Sequence, residues 1–277
     1  GITVNAPISG TTKFDRSLGN ITIQGSPTTV TNNSSQLLDF DNDIAAGAPR
    51  TLSVNNSSSG GTVFNGAFST ASQTSYFGLT INSSGSGLTT ITSNSNVYYG
   101  ATTITAGTLQ VNNTSNSGTG ISAISVGANG VLAGTGRVAP GHSTSGSVQH
   151  NIDIFGTLSP GSSTTPLSNF TIDLGSTTAG ATMESGGTFA LGLGTAGATI
   201  GAPGTSDRLL ITSASAGDVT LNSNNIDFQG TGLAGWYKLF DTDLASGSTW
   251  VGLTLSGQQI TGGLNVTNFG SGLSASL

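Results

Sequence analysis

The stretch Gly85–Asn113, GSGLTTITSNSNVYYGATTITAGTLQVNN, decides the fold. Its apolar residues recur at every second position: Ile104 stands between two threonines, and Leu109 and Val111 flank Gln110. That spacing turns one side of an extended chain inward and leaves the hydroxyl side out. A Tyr98-Tyr99-Gly100 corner, and a second at Gly107, interrupt the runs where the backbone needs freedom that a Cβ denies. The pattern reads as coiled β-strand rather than as an active site.

Similar dyads run along nearly the whole chain, from Ile21/Ile23 and Leu52/Val54 through Ile124/Val126 and Leu191/Leu193 to Leu253/Leu255 and Leu264/Val266. A polar, Gly-rich chain that stayed disordered would have no reason to keep this parity. Helix signals are nearly missing, since Glu184 is the only glutamate and Ala, Leu and Lys never gather at a helical period. Short strands between Gly, Asn and Ser turns suit either a sandwich or a solenoid. The repeats decide between them. Gly107-Thr-Leu109, Gly130-Val-Leu132 and Gly156-Thr-Leu158 follow one another at 23 and 26 residues, the length of one coil of a three-faced solenoid.

Three zones follow. Residues 1–84 are read as irregular N-terminal solenoid coils with several Asn-Asn-Ser turns, 85–175 as the regular repeat, and 176–277 as distal coils with a C-terminal cap or assembly region. Both tryptophans, Trp236 and Trp250, fall in that last zone with Tyr237 and Phe240, as expected where bulky side chains close a solenoid end.

Composition sets the limits on function. Only 6% of the 277 residues are charged, against about 25% in an ordinary domain, so solubility must come from hydroxyls and amides. A formal charge of −6 and six scattered Lys and Arg disfavour a nucleic-acid partner. With no cysteine, disulfides and thiolate metal sites are excluded. No apolar run reaches the ~20 residues a membrane span needs. The chain opens on Gly1 with no leader-like run behind it, which reads as the mature form of an exported protein.

Asn96, Tyr98, Gly100, Thr102, Ile104, Ala106, Gly107, Thr108, Leu109 and Val111 match, place by place, an Asn-x-Tyr-x-Gly corner followed by Thr-x-Ile-x-Ala-Gly-Thr-Leu-x-Val. On these residues the segment resembles the autotransporter-associated β-strand repeat. Ile124–Val138 and Gly156–Gly161 look like its usual continuation, so the likeness covers about residues 85–161. The resemblance implies an all-β, right-handed β-solenoid (a parallel β-helix) outside the cell, sometimes carrying a sorting tail of the PEP-CTERM kind. Gly235–Asp241 is similar to the segment that precedes such tails.

Candidate sites are few. Asp39, Asp41 and Asp43 alternate in Asp39-Phe-Asp-Asn-Asp43, so an extended strand would place all three on one face, a donor set suited to a hard cation such as calcium. An EF-hand is excluded, because Ile44 stands where its Gly is required. Apart from calcium there, no cofactor is expected. His142 and His150 are the only histidines and no Gly-x-Ser-x-Gly elbow occurs, so an enzyme is not expected. Gly192–Gly197 fits the dinucleotide fingerprint formally but lacks the following helix. Thr29-Val-Thr31, Thr90-Ile-Thr92 and Thr103-Ile-Thr105 resemble the Thr-x-Thr rows of ice-binding solenoids at irregular spacing.

The expectation is an extracellular structural protein, a self-associating solenoid subunit of a bacterial surface filament or matrix layer. The alternative is a surface adhesin that contacts glycans or other cells. Edge-to-edge or end-to-end contact between copies is the partner expected.

Overall fold

The computed structural model describes residues 1–5, 10–70, 76–140, 151–161, 167–175, 180–199, 201–213, 218–222, 224–229, 237–244, 249–251 and 265–267. Its strands form three parallel stacks. The first runs Ile2–Val4, Thr28–Asn32, Arg50–Asn56, Phe77–Asn82, the leading halves of Thr102–Val111 and Ile124–Gly134, Ile152–Ile154, Ala181–Met183, Asp218–Leu221 and Thr249–Val251. The second runs Thr12–Phe14, Leu38–Phe40, Thr62–Phe64, Thr89–Ile91, the trailing halves of the same two long strands, Thr157–Pro160, Thr188–Gly192, Asn225–Gln229 and Asn265–Thr267. The third joins Ile21–Ile23, Ile44–Ala46 and Phe68–Thr70, continues through a bridge from Ser69 to Val97, and resumes at Arg137–Val138, Asn169–Asp173, Arg208–Ser213 and Phe240–Leu244.

Each strand thus pairs with the strand one coil further on. This all-β, parallel arrangement in curled sheets fits a β-solenoid. Ten successive strands in the first stack give it a length of roughly 43 Å at about 4.8 Å per strand. One short 3-10 turn, Arg16–Leu18, is the only helical element among the described residues.

Alternation along the strands becomes columns across them. Val30, Val54, Ile81, Ile104, Val126, Ile154 and Met183 stand opposite one another in turn, all nearly free of solvent. In the second stack Phe14, Phe40 and Phe64 form an aromatic column, with ring centroids 4.7 and 5.1 Å apart and nearly parallel planes. Such offset stacks add to what burial already contributes. Tyr98, wholly buried, closes this cluster edge-on against Phe68 and Phe77 and hydrogen-bonds to Thr102 Oγ1 at 2.6 Å.

The Gly-x-Leu repeats fall in register. Gly107 pairs with Gly130, Leu109 with Leu132 and Leu132 with Leu158, so the sequence period is the coil period. Glycine is required here by close approach: a Cβ on Gly130 would lie 2.4 Å from Ile104 O, and one on Gly156 2.2 Å from Gly130 O. Thr102–Val111 is a single bent strand that passes from the first stack to the second through a register shift after Ile104 and the positive φ of Gly107.

The Asn-Asn-Ser segments are built differently from exposed turns. Asn32 and Asn56, the last residues of their strands, point inward with no exposure. The Asn32 amide donates to Gln36 O and Gly61 O, both at 2.9 Å, and Asn56 Oδ1 accepts from Thr62 Oγ1 at 2.7 Å. Asn42, Asn96 and Asn113 are buried in the same way at other corners, bonding to backbone groups. An amide satisfies in one side chain the corner carbonyls that leave the ladder.

The proposed zone boundaries are crossed by ladder pairs, Ile81 with Ile104 and Asp173 with Thr212. Leu193 departs from the dyad rule: half-exposed, it leaves the second stack for an excursion. Leu253, Leu255, Leu264 and Trp236 lie outside the described residues, and of Trp250 only the backbone is described, paired with Val219.

Candidate functional site

The acidic segment divides at a corner. Asp39 lies in the strand Leu38–Phe40, but the chain turns at Asn42, whose amide reaches inward to Asp15 O at 2.8 Å, and the next strand begins at Ile44. Asp39 and Asp41 share one set of partners, and Asp43, beyond the corner, has another. The Lys13 ammonium sits 2.7 Å from Asp41 and 3.9 Å from Asp39, and the Asn65 amide bridges both carboxylates at 2.9 and 3.0 Å. Asp43 instead accepts from Ala67 N at 2.8 Å and lies 3.6 Å from the Arg16 guanidinium.

The hydrogen bond from Lys13 holds the Asp41 carboxyl below its ordinary range and the lysine above its own. Asp39 moves up, because burial and then the neighbouring Asp41 charge both disfavour its ionised form. Together these residues make an ion-paired clasp across three coils. Among the described residues no three His, Cys, Asp or Glu side chains converge on a position that holds a metal ion. Far along the chain Asp241 is also ion-paired, lying 2.8 Å from Lys238.

A second feature was not legible in the sequence. Over the outer side of the second stack lies a groove of about 530 Å³, within the size range of small-ligand sites. Thr108, Gln110, Ala133, Ser159 and Ala190 form its floor. One wall is the excursion that leaves at Leu193 and returns through an antiparallel bridge at Ser206. Asp207 pins this wall: its two carboxylate oxygens accept from Ser168 N and Gly192 N, each at 2.8 Å. Burial pushes its carboxyl up, and the backbone donors pull the other way. Cβ atoms on Gly161 or Gly192 would come within 2.7 Å of these oxygens, so glycine makes room for the carboxylate.

Asp153 and Glu184 lie near each other on the outer side of the first stack, where burial, then the Glu184 charge, raises the Asp153 carboxyl. Neither residue lines the groove. Thr29, Ser53, Thr80 and Thr103 form one outward column, so two of the Thr-x-Thr pairs share a face, while Thr90 belongs to the second stack beside Gln110. Ser53, Asn55 and Asn82 interrupt the threonine pattern between those two pairs. Gly192–Gly197 is the base of the excursion and opens no helix. His142 and His150 lie outside the described residues. Among the described residues no helix is long and apolar enough to cross a membrane.

The chain matches no model of a known protein family, and no curated protein matches it.

Proposed function

We propose that this chain is building material: part of an exported, right-handed β-solenoid of the autotransporter-associated repeat type, closed or joined through its C-terminal region. In this reading it catalyses nothing. Copies associate into a filament or layer at the bacterial cell surface.

One observation carries the reading. Aliphatic and aromatic columns run under parallel ladders from Ile2 to Leu221, so cohesion is spread along the axis rather than gathered around a site. With 6% charged residues, copies meet little like-charge repulsion beyond the net −6. A solenoid has open sheet edges only at its ends, and strand addition there lengthens the rod along its axis.

Light scattering against concentration, followed by electron microscopy of the same samples, tests this. Fibres or sheets whose thin dimension is one solenoid wide are expected. Purified protein that stays monomeric and featureless at high concentration overturns the assembly claim.

A further inference from the structure

Gln110 is the most informative side chain outside the core. It is 7% exposed, it lines the groove over the second stack, and its carboxamide oxygen has one distant contact, Thr90 Oγ1 at 3.5 Å. Its amide nitrogen bonds to no other described residue. The side chain is held largely out of solvent while its amide nitrogen still reaches the groove, so its N–H donors are offered to whatever hydrogen-bonding group occupies that space. The hydroxyls of Thr108 and Ser159, on the same floor, likewise make no bond to another described side chain.

The floor has a regular order. Gln110, Ala133 and Ser159 succeed one another across adjacent strands, and Thr108 and Val131 do the same beside them. Hydrogen-bonding groups thus recur at every second strand, roughly 9.6 Å apart, with small apolar side chains between them. Among the described residues that line the groove there is no Lys or Arg, and the one carboxylate, Asp207, is already occupied by backbone N–H groups. A peptide strand would seek unpaired backbone groups. The floor is the face of a sheet whose backbone is committed to its ladders, so only side chains are offered.

From these features we infer that the groove binds a neutral oligosaccharide strand lying along the solenoid axis. Sugar hydroxyls would meet the Gln110 amide and the Thr108 and Ser159 hydroxyls, and the C–H faces of the rings would lie over Ala133, Val131 and Ala190. Uncharged donors alternating with small apolar patches match a neutral sugar chain, and the absence of cations among the lining residues disfavours an acidic one. The site is independent of the assembly reading, since it uses the outer face of one stack and no strand edge.

Calorimetric titration of the full chain with cellohexaose, xylohexaose and mannohexaose, with an oligogalacturonate as the acidic control, tests the inference. Binding of at least one neutral hexaose and none of the acidic one is expected. Gln110→Leu should weaken it about tenfold, on the scale of one hydrogen bond to a neutral group, and Ala190→Phe should abolish it by filling the groove. Thr80→Phe, on the outer side of the first stack, should leave binding unchanged. Circular dichroism and the assembly assay on the same variants separate the two readings: lost sugar binding with intact folding and assembly supports the groove. If none of the neutral sugars binds, if the acidic one binds better, or if binding survives both groove substitutions, the inference is overturned.

Discussion

The two halves of the solenoid use the same inward columns with different lengths of chain between them. From Val30 through Val54, Ile81 and Ile104 to Val126, the first-stack column advances by 24, 27, 23 and 22 residues. From Val126 through Ile154 and Met183 to Leu221, the steps are 28, 29 and 38 residues. In the short-step half almost every described residue is spent on strand and corner, and the interior is filled by stacked phenylalanines and amide-filled corners. In the long-step half, the part of the surplus that is described is the excursion between Leu193 and Ser206. That excursion walls the groove outside, and the interior of the same half holds a void of about 20 Å³ between Met183, Ile154, Leu158 and Phe240. Regular coils give cohesion, and departures from regularity give surface features.

If that contrast is right, equivalent core truncations should differ in cost. Phe64→Ala, in the aromatic column, should destabilise by about 3–5 kcal/mol, and Met183→Ala, beside existing empty space, by about 2 kcal/mol. Urea unfolding of both variants reads the difference, and equal losses would break the distinction between the halves.

The glycine corners offer a sharper test. Gly156→Ala drives a methyl into Gly130 O and should cost about 1–3 kcal/mol. Gly47→Ala meets nothing within 4 Å and needs no positive φ, so it should be neutral or stabilising by about 0.5 kcal/mol. Paired melting curves check both.

The smallest effect concerns pH and belongs to the groove wall. The Asp207 carboxyl is raised in the folded state above its ordinary 3.8, so the fold holds that proton more tightly than the unfolded chain. Its contribution favours folding below 3.8 and is lost as pH rises from there through the folded value. In Asp207→Asn that part of the stability profile should flatten, as read by denaturation at several pH values. An unchanged profile would show that the carboxylate is not desolvated in the wall.

Much of the fold was legible, and for identifiable reasons. Period-two dyads report which way side chains point, and the Gly-x-Leu spacing reports the coil, because both are constraints on a single repeated rung. Polar residues were less readable. Asn32 and Asn56 look like turn residues, yet they stand inside, since a buried amide and an exposed one are spelled alike. Asp39, Asp41 and Asp43 alternate as a strand would place them, and the corner at Asn42 separates them, a bend that depends on contacts with the preceding coil at Asp15. Gln110 alternates outward as expected, but the groove above it comes from residues some eighty to a hundred positions away, around Leu193 and Asp207. No local pattern encodes that meeting.

The central claim is that chain segments one coil apart stand side by side in a fixed register. The chain has no cysteine of its own, so an engineered pair reports cleanly. Ser53 and Thr80 are direct ladder partners, and Thr103 lies one strand further on. Adjacent strands stand about 4.8 Å apart, inside the span a disulfide bridges, and a separation of two strands exceeds it. Mild oxidation of the folded monomer should close an intramolecular disulfide in Ser53→Cys/Thr80→Cys and leave Ser53→Cys/Thr103→Cys reduced. The reverse pattern, or failure of both pairs to close in a folded protein, would contradict the stacked-coil account.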